Sequence, residues 1–416
     1  MSAARRRVVV TGLGAVTCVG LTARSLWEGL LDGKSGVAPI TLYDCSQHTV
    51  KIAGECHGFL PENYIEKREA RRLDRFSQFA VAAANEAIAD SKLDFSKEDT
   101  TRCGVIIGAG IGGITEIEEQ KERLMTKGPS KVTPFLIPKL MANAAPAHVS
   151  IIHKLRGPNY CIVTACAAGA NSLGAALRSI QYGETDIMVA GGTEAAITPL
   201  GMAGFANMGA LSTHNDDPAG ASRPFDKGRD GFVMGEGAGV VVLEELEHAM
   251  KRDAKIYAEF TGYGLSGDGH HITSPCEDGD GGVRAMTMAL KDANLRPEDI
   301  DYVNTHGTST PTNDRIETTA IKRVLGERAY KIPMNSTKSM TGHTLGAAGG
   351  VEFVVMCLSL AEDKIHPTIN LKTKDPDCDL DYTPEGARNV KIRHAFSNSL
   401  GFGGHNATLV ASKLRL

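Results

Sequence analysis

Short apolar runs and longer stretches of helical period alternate along this chain from end to end. Arg7–Thr11 reads as a buried strand followed by a glycine turn, Arg75–Ser91 carries apolar residues at helical spacing, and Cys103–Ile107 reads as a strand. Asn143–His153 predicts a helix whose Pro146 falls in the first turn, where a missing N–H is harmless. Tyr160–Thr164 predicts a strand that enters a small-residue helix around Cys166, running to about Tyr182. Asp186–Ala190 and Gly237–Glu244 follow as strands, and Glu245–Arg252 as a helix. In the second part Ala258–Tyr263 and Tyr302–Thr305 read as strands, and Gly281–Ala293, Ile316–Leu325 and Gly346–Ala361 as helices. Lys391–Ser397 and Ala407–Ser412 predict a closing hairpin, and Gly262–Gly282, rich in Gly, Asp and His, an exposed loop. Alternation of this kind predicts an α/β protein.

A motif echoes itself. Thr-Ala-Cys166-Ala-Ala-Gly-Ala-Asn opens one small-residue helix, and Met-Thr-Gly-His343-Thr-Leu-Gly-Ala-Ala-Gly-Gly opens another, each after a strand-like run. Two readings stand: a duplication that brings both helix starts to one centre, or chance similarity between two Gly/Ala-rich helices.

With 416 residues the chain exceeds what one core needs, so one large composite domain or two to three ordinary ones are expected. A net charge of −4 gives no reason to expect nucleic acid as a partner. The 46 glycines, interleaved with apolar runs, suggest tight turns and close packing rather than disorder. The nine cysteines are scattered, odd in number and lack a C-x-x-C pair, which argues against a disulfide framework and a structural zinc site and for a reducing compartment. The basic start Met-Ser-Ala-Ala-Arg-Arg-Arg has no apolar stretch of signal-peptide type behind it, and no run approaches the ~18 apolar residues of a membrane span. A soluble, cytoplasmic protein without a membrane segment is expected.

Cys166 is the leading chemical candidate. A thiol at a helix start faces the positive end of the helix dipole, which favours the nucleophilic thiolate. Its Ala and Gly neighbours leave room for a substrate. A buried cysteine acting as a small hydrophobe is the competing reading. His306 in Val-Asn-Thr-His-Gly-Thr-Ser-Thr and His343 each follow a strand-like or apolar stretch and sit among glycines and small hydroxyls. Ligand sites gather at the carboxyl ends of strands in α/β sheets, so three such turns point to one convergent site. The cluster Asn-Ser-Leu-Gly-Phe402-Gly-Gly-His-Asn reads either as a hairpin turn needing positive φ or as backbone N–H groups aimed at an oxyanion.

Other motifs are weighed against blander readings. Gly108-Ala-Gly110-Ile-Gly-Gly113 matches the dinucleotide pattern, but the helix behind it is acidic where a phosphate needs a positive end. Asp268-Gly-His270-His271 lacks metal-ligand spacing and reads as a solvated loop. The run Lys67-Arg68-Glu-Ala-Arg71-Arg72-Leu-Asp-Arg75 places cations on one helix face, either simply solvated or docking an acidic partner.

In this order, the Cys166, His306, Lys338-Ser-Met-Thr-Gly-His343 and Gly-Phe402-Gly-Gly motifs resemble the β-ketoacyl-[acyl-carrier-protein] synthases of type II systems, over essentially the whole chain. The resemblance implies an α/β thiolase-like fold: two pseudo-twofold-related halves in α-β-α-β-α layers, cut here at 1–255 and 256–416, usually as a homodimer. It implies that Cys166 carries the acyl chain as a thioester, and that His306 and His343 stabilise the enolate left when a malonyl thioester loses CO2. The N–H groups of Cys166 and Phe402 would form an oxyanion hole, with Phe402 also a gate. Lys338 and Glu352 match the supporting lysine and buried carboxylate, Thr308 and Thr310 the pantetheine contacts, and Ile111 and Phe205 the acyl pocket. Arg68, Arg71, Arg72 and Lys131 would meet an acyl carrier protein. No cofactor or metal is implied. Leu400 replaces a frequent Phe and His405 a frequent Thr beside the gate, and Ser130-Lys131 leaves one cation where a pair is often found. Rival expectations are a polyketide-type ketosynthase, a carrier-independent thiolase (which typically has a second Cys where His343 stands) and a non-elongating partner subunit, which typically lacks the cysteine.

Overall fold

The computed structural model describes residues 5–415; Met1–Ala4 of the basic N-terminus lie outside the described residues. Among these, ten strands form one hydrogen-bonded sheet. From its centre outward one arm runs Val8–Thr17, Gly237–Glu245, Ile187–Glu194, Cys103–Gly108 and Asn159–Tyr160. The other runs Ala258–Gly267, His405–Ser412, His394–Gly401, Tyr302–Asn304 and Met334–Asn335. In chain order both arms read first, fifth, fourth, second, third. In both, the two inner pairings are antiparallel and the two outer ones parallel. Chance similarity between two helices does not produce an identical strand order and sense, so the echo is a structural duplication. The two arms of the sheet join where Val9 and Val10 pair with Glu259 and Ala258.

Five layers follow from the alternation of side chains along these strands. Val8, Val10, Leu13 and Ala15, with Val241, Leu243, Ala407, Leu409 and Ala411, face a central core. Helices Ala168–Gln181 and Ala348–Glu362 fill that core. Val105, Ile107, Val240 and Val242 face outward beneath Arg75–Ser91 and Ala144–His153. On the other arm Val303, Phe396 and Val410 lie beneath Asp280–Asp292 and Pro311–Leu325. Each fully buried large apolar side chain contributes roughly 1.5–3 kcal/mol by leaving water.

Several expectations change. The first strand does not end at a glycine turn; it runs through Gly12 and Gly14 to Thr17. A Cβ at Gly12 or Gly14 would meet the carbonyl oxygen of Ala87 or Ala83 at 2.0 or 1.9 Å, so these glycines let the Arg75–Ser91 helix approach the strand. The strand before Cys166 is only Asn159–Tyr160, at the sheet edge with a partner on one side. The strand predicted to end at Tyr263 continues to Gly267, which shortens the loop to 268–279. The basic run is not one helix face. Lys67–Ala70 is a separate short helix, and Arg75 turns inward to pair with buried Glu236 at 2.6 Å. The stretch Leu345–Glu362 has the length and apolarity of a membrane span, contrary to expectation, yet it is mostly buried, as a turn and one of the two helices of the central core.

Candidate active site

Cys166, His306 and His343 converge on one cavity of about 290 Å³. Cys166 lies in the tight turn Ala165–Ala167 that opens the helix Ala168–Gln181, and Ala165 holds φ at +48°. Asn171 of that helix donates to Thr164 Oγ1 at 2.7 Å and accepts from Tyr263 of the other half at 2.8 Å, so both halves hold the turn. Gly401 packs against it. A Cβ there would stand 3.0 Å from the Thr164 carbonyl oxygen and 3.2 Å from the Cys166 nitrogen. The N–H of the next residue, Phe402, favours the thiolate form of Cys166.

Helix-start activation is not the dominant influence on this thiol. Burial pushes Cys166 up to about 11, while the Phe402 N–H and Lys338 pull it down and Glu194 raises it. The resting group is a buried thiol.

His306 follows the strand Tyr302–Asn304, and its backbone is pinned from behind. Its N–H and that of Gly307 donate to the buried Glu317 carboxylate at 2.7 and 2.8 Å. His343 is held by both backbone groups: its N–H donates to Val233 O at 2.7 Å, and its C=O accepts from Gly235 at 2.9 Å. The Leu345 N–H donates to His343 Nδ1 at 3.3 Å, which leaves the ring proton on Nε2. The two rings stand nearly perpendicular with centroids 5.2 Å apart, and Phe232 meets His343 edge-on at 5.2 Å. Burial, with Lys338 beside them, holds both histidines well below their usual range, so both are neutral near pH 7. Lys338 forms a buried ion pair with Glu352, whose carboxyl burial raises to about 7 against the pull of that lysine. Two neutral imidazoles and a fixed cation suit a carbonyl oxygen that gains negative charge.

The remaining candidates separate by place. Phe205, Thr308, Thr310, Leu400 and Phe402 line the cavity. Thr308 and Thr310 share a hydrogen bond of 2.9 Å, and Thr310 caps the helix Pro311–Leu325. Ile111 is not in the cavity wall; it is 40% exposed on the outer surface. Phe402 and the turn between the last two strands lie under loop 268–279: Gly403 donates to Ile272 O at 2.6 Å, and Asp268 accepts from Asn406 at 2.6 Å. The hairpin-turn reading of the glycine cluster holds, since Gly403 and Gly404 have φ of +83° and +70° in the turn that follows Phe402. His405 closes the hairpin opposite Gly401. Asp268 is engaged with Asn406 rather than with His270 or His271. Arg68, Arg71 and Lys131 are exposed, and Arg72 lies 5.4 Å from the Phe135 ring while pairing with Glu69. Sequence reading missed Asn406, Phe232 and Glu194, whose partners are distant in the chain, and Glu317, which holds the backbone of His306 and Gly307 from the following helix.

A duplicated five-layered α/β fold, with a cysteine at one central helix start and two histidines from the other half, defines the thiolase-like class. Family profiles for the beta-ketoacyl synthase N-terminal and C-terminal domains match residues 5–249 and 257–372. The chain belongs to the β-ketoacyl synthase family. It is 53% identical, over 98% of both chains, to a 3-oxoacyl-[acyl-carrier-protein] synthase 2 of Synechocystis, and 50% identical, again over 98% of both, to one of Staphylococcus aureus. A type II polyketide ketosynthase, solved with its acyl-carrier protein and bound to a hexaketide, superposes with a TM-score of 0.91 at 38% identity, covering 99% of this chain and 100% of that one.

Proposed function

We propose that this enzyme condenses an acyl thioester carried on Cys166 with malonyl-acyl carrier protein, releasing CO2 and 3-oxoacyl-acyl carrier protein in fatty-acid chain elongation. The observation that carries this reading is the convergence of Cys166, neutral His306 and neutral His343 on one cavity. Cys166 attacks the carbonyl of the incoming acyl-carrier thioester. The oxyanion rests on the N–H groups of Cys166 and Phe402, the carrier thiol leaves with the thiol's proton, and the chain stays as a thioester. The malonyl thioester carbonyl then lies against His306 and His343. Breaking its C–CO2 bond leaves an enolate whose oxygen accepts from these imidazoles beside the Lys338 charge. The enolate carbon bonds to the acyl carbonyl, and Cys166 departs as thiolate and regains its proton. No strong base is needed, because loss of CO2 creates the nucleophile.

The finer readings belong to the same proposal. Thr308 and Thr310 take the pantetheine arm, Phe205 bounds the acyl chain, Phe402 gates it, and Glu352 holds Lys338. Arg68, Arg71, Arg72 and Lys131 meet the acidic carrier. Residues 1–255 and 256–416 act as two halves that supply the cysteine and the two histidines. The protein works as a homodimer in the cytoplasm, without cofactor. The one-sided edge strand at Tyr160, with exposed Ile137, Ile151, Ile152 and Val163 (59, 70, 43 and 55% exposed), supports the dimer, and Ile111 would then face the partner copy. Nine unpaired cysteines suit a reducing compartment. A polyketide role is the less favoured reading, because relatives at 50–53% identity are named 3-oxoacyl-[acyl-carrier-protein] synthase 2. Purified enzyme given acyl carriers of graded length and malonyl carrier should yield one CO2 per 3-oxoacyl product; CO2 release without a C–C bond would defeat the proposal.

A further inference from the structure

The glycine loop Gly108–Gly113 has the shape of a phosphate cradle, but its N–H groups converge on a side chain of the protein itself. Glu194, at the end of strand Ile187–Glu194, is fully buried. One carboxylate oxygen accepts from Gly110 at 2.6 Å and Gly346 at 3.2 Å; the other accepts from Gly112 at 3.1 Å. The Ile111 N–H lies 3.2 Å from both. Burial raises this carboxyl to about 7, and those N–H groups pull it back.

The duplication gives this arrangement a meaning. Turns Ala165–Ala167 and Leu345–Ala347 occupy matching places, each leading into a central helix at Ala168 or Ala348. Ala165 and Leu345 share φ of +48°. Gly346 is thus the counterpart of Cys166, in Thr-Leu-Gly346-Ala-Ala-Gly against Thr-Ala-Cys166-Ala-Ala-Gly. Strands Ile187–Glu194 and His394–Gly401 also match, so Glu194 is the counterpart of Gly401. Where the first turn leaves its N–H open for a substrate oxyanion, the second has its N–H filled by a carboxylate. Leu345 of that turn lines the cavity and donates to His343 Nδ1.

We propose that Glu194 is a positioning residue, a built-in anion in the counterpart of the oxyanion hole that fixes the turn through which Leu345 orients His343. The activity readout of this inference rests on the condensing reading above.

The test is Glu194→Ala with added formate, which replaces the missing carboxylate. The variant should fold, and both malonyl decarboxylation and condensation should fall about tenfold or more. Tens of millimolar formate should restore both saturably and raise the melting temperature of the variant more than that of the wild type. Wild-type rates in the variant, or a loss that formate repairs in neither rate nor melting temperature, would overturn the role. The melting shift needs no turnover, so it separates this idea from the functional reading, which fails only if wild-type enzyme does not condense. Should Glu194→Ala prove insoluble, Glu194→Gln decides. It keeps the volume but turns an NH2 toward the loop amides, and kcat for decarboxylation should drop about tenfold with little change in KM for the malonyl carrier. Unchanged kcat would overturn the proposal.

Discussion

Gly401→Ala separates the two reaction centres. The added methyl carbon would stand 3.0, 3.1 and 3.2 Å from the Thr164 oxygen, Ala167 nitrogen and Cys166 nitrogen, all backbone atoms. None of these rotates away, so the Gly401–Phe402 backbone must retreat by a few tenths of an ångström. That retreat draws the Phe402 N–H off the acyl oxyanion. Loss of a whole oxyanion donor costs about 10²–10³ in rate, and a partial displacement about tenfold to a hundredfold, or ~1.4–2.7 kcal/mol. The assay is single-turnover acylation of Cys166 by an acyl carrier, followed by intact mass, with malonyl decarboxylation measured in parallel. Acylation should slow by that factor, while decarboxylation, which rests on His306 and His343, stays within about twofold of wild type. Equal losses in both, or no loss in acylation with an unchanged melting temperature, would refute the assignment of Phe402 N–H to the acyl oxyanion.

Lys338→Met tests the electrostatics. Lys338 contributes to holding both histidines below their ordinary range, so its removal lets their pKa values rise. Protonation on acidification then begins at higher pH, and the acid limb of decarboxylation should move upward; an unmoved limb contradicts the role. Cys166→Ala should abolish condensation yet keep malonyl decarboxylation measurable, since the histidines remain. Charge reversal at Arg68 and Arg72 should raise KM for carrier-bound substrate several-fold more than for a small thioester mimic, and an equal effect on both would remove the docking surface. Ile151→Asp should shift sedimentation from twice the 44.1 kDa chain mass toward a single chain, whereas an unchanged dimer would place the interface elsewhere.

The reacting groups were legible because their neighbours are diagnostic. Cys166, His306 and His343 each stand in a turn of small residues after an apolar or strand-like stretch, and the structure brings all three to one cavity. What supports them was not legible. Glu317 reads as an ordinary helix charge, yet it anchors His306 and Gly307. Glu194 serves a loop distant in the chain, and nothing local marks it. The burial of the thiol was not legible for a similar reason: a helix start is visible in sequence, whereas the apolar surroundings that raise its pKa come from segments distant in the chain. Glycines misled where they served packing rather than turning, as at Gly12 and Gly14. Ile111 shows the reverse limit, since it lies outside the wall of the cavity that holds Cys166.

The central claim is that Cys166 carries the acyl chain between the two half-reactions. Enzyme incubated with acyl carrier alone, then digested and analysed by mass, should show one acyl group on the peptide containing Cys166. Addition of malonyl carrier should clear it with release of one CO2 and formation of the 3-oxoacyl carrier. An acyl group on another cysteine, or a chain on Cys166 that malonyl carrier does not discharge, would contradict the account.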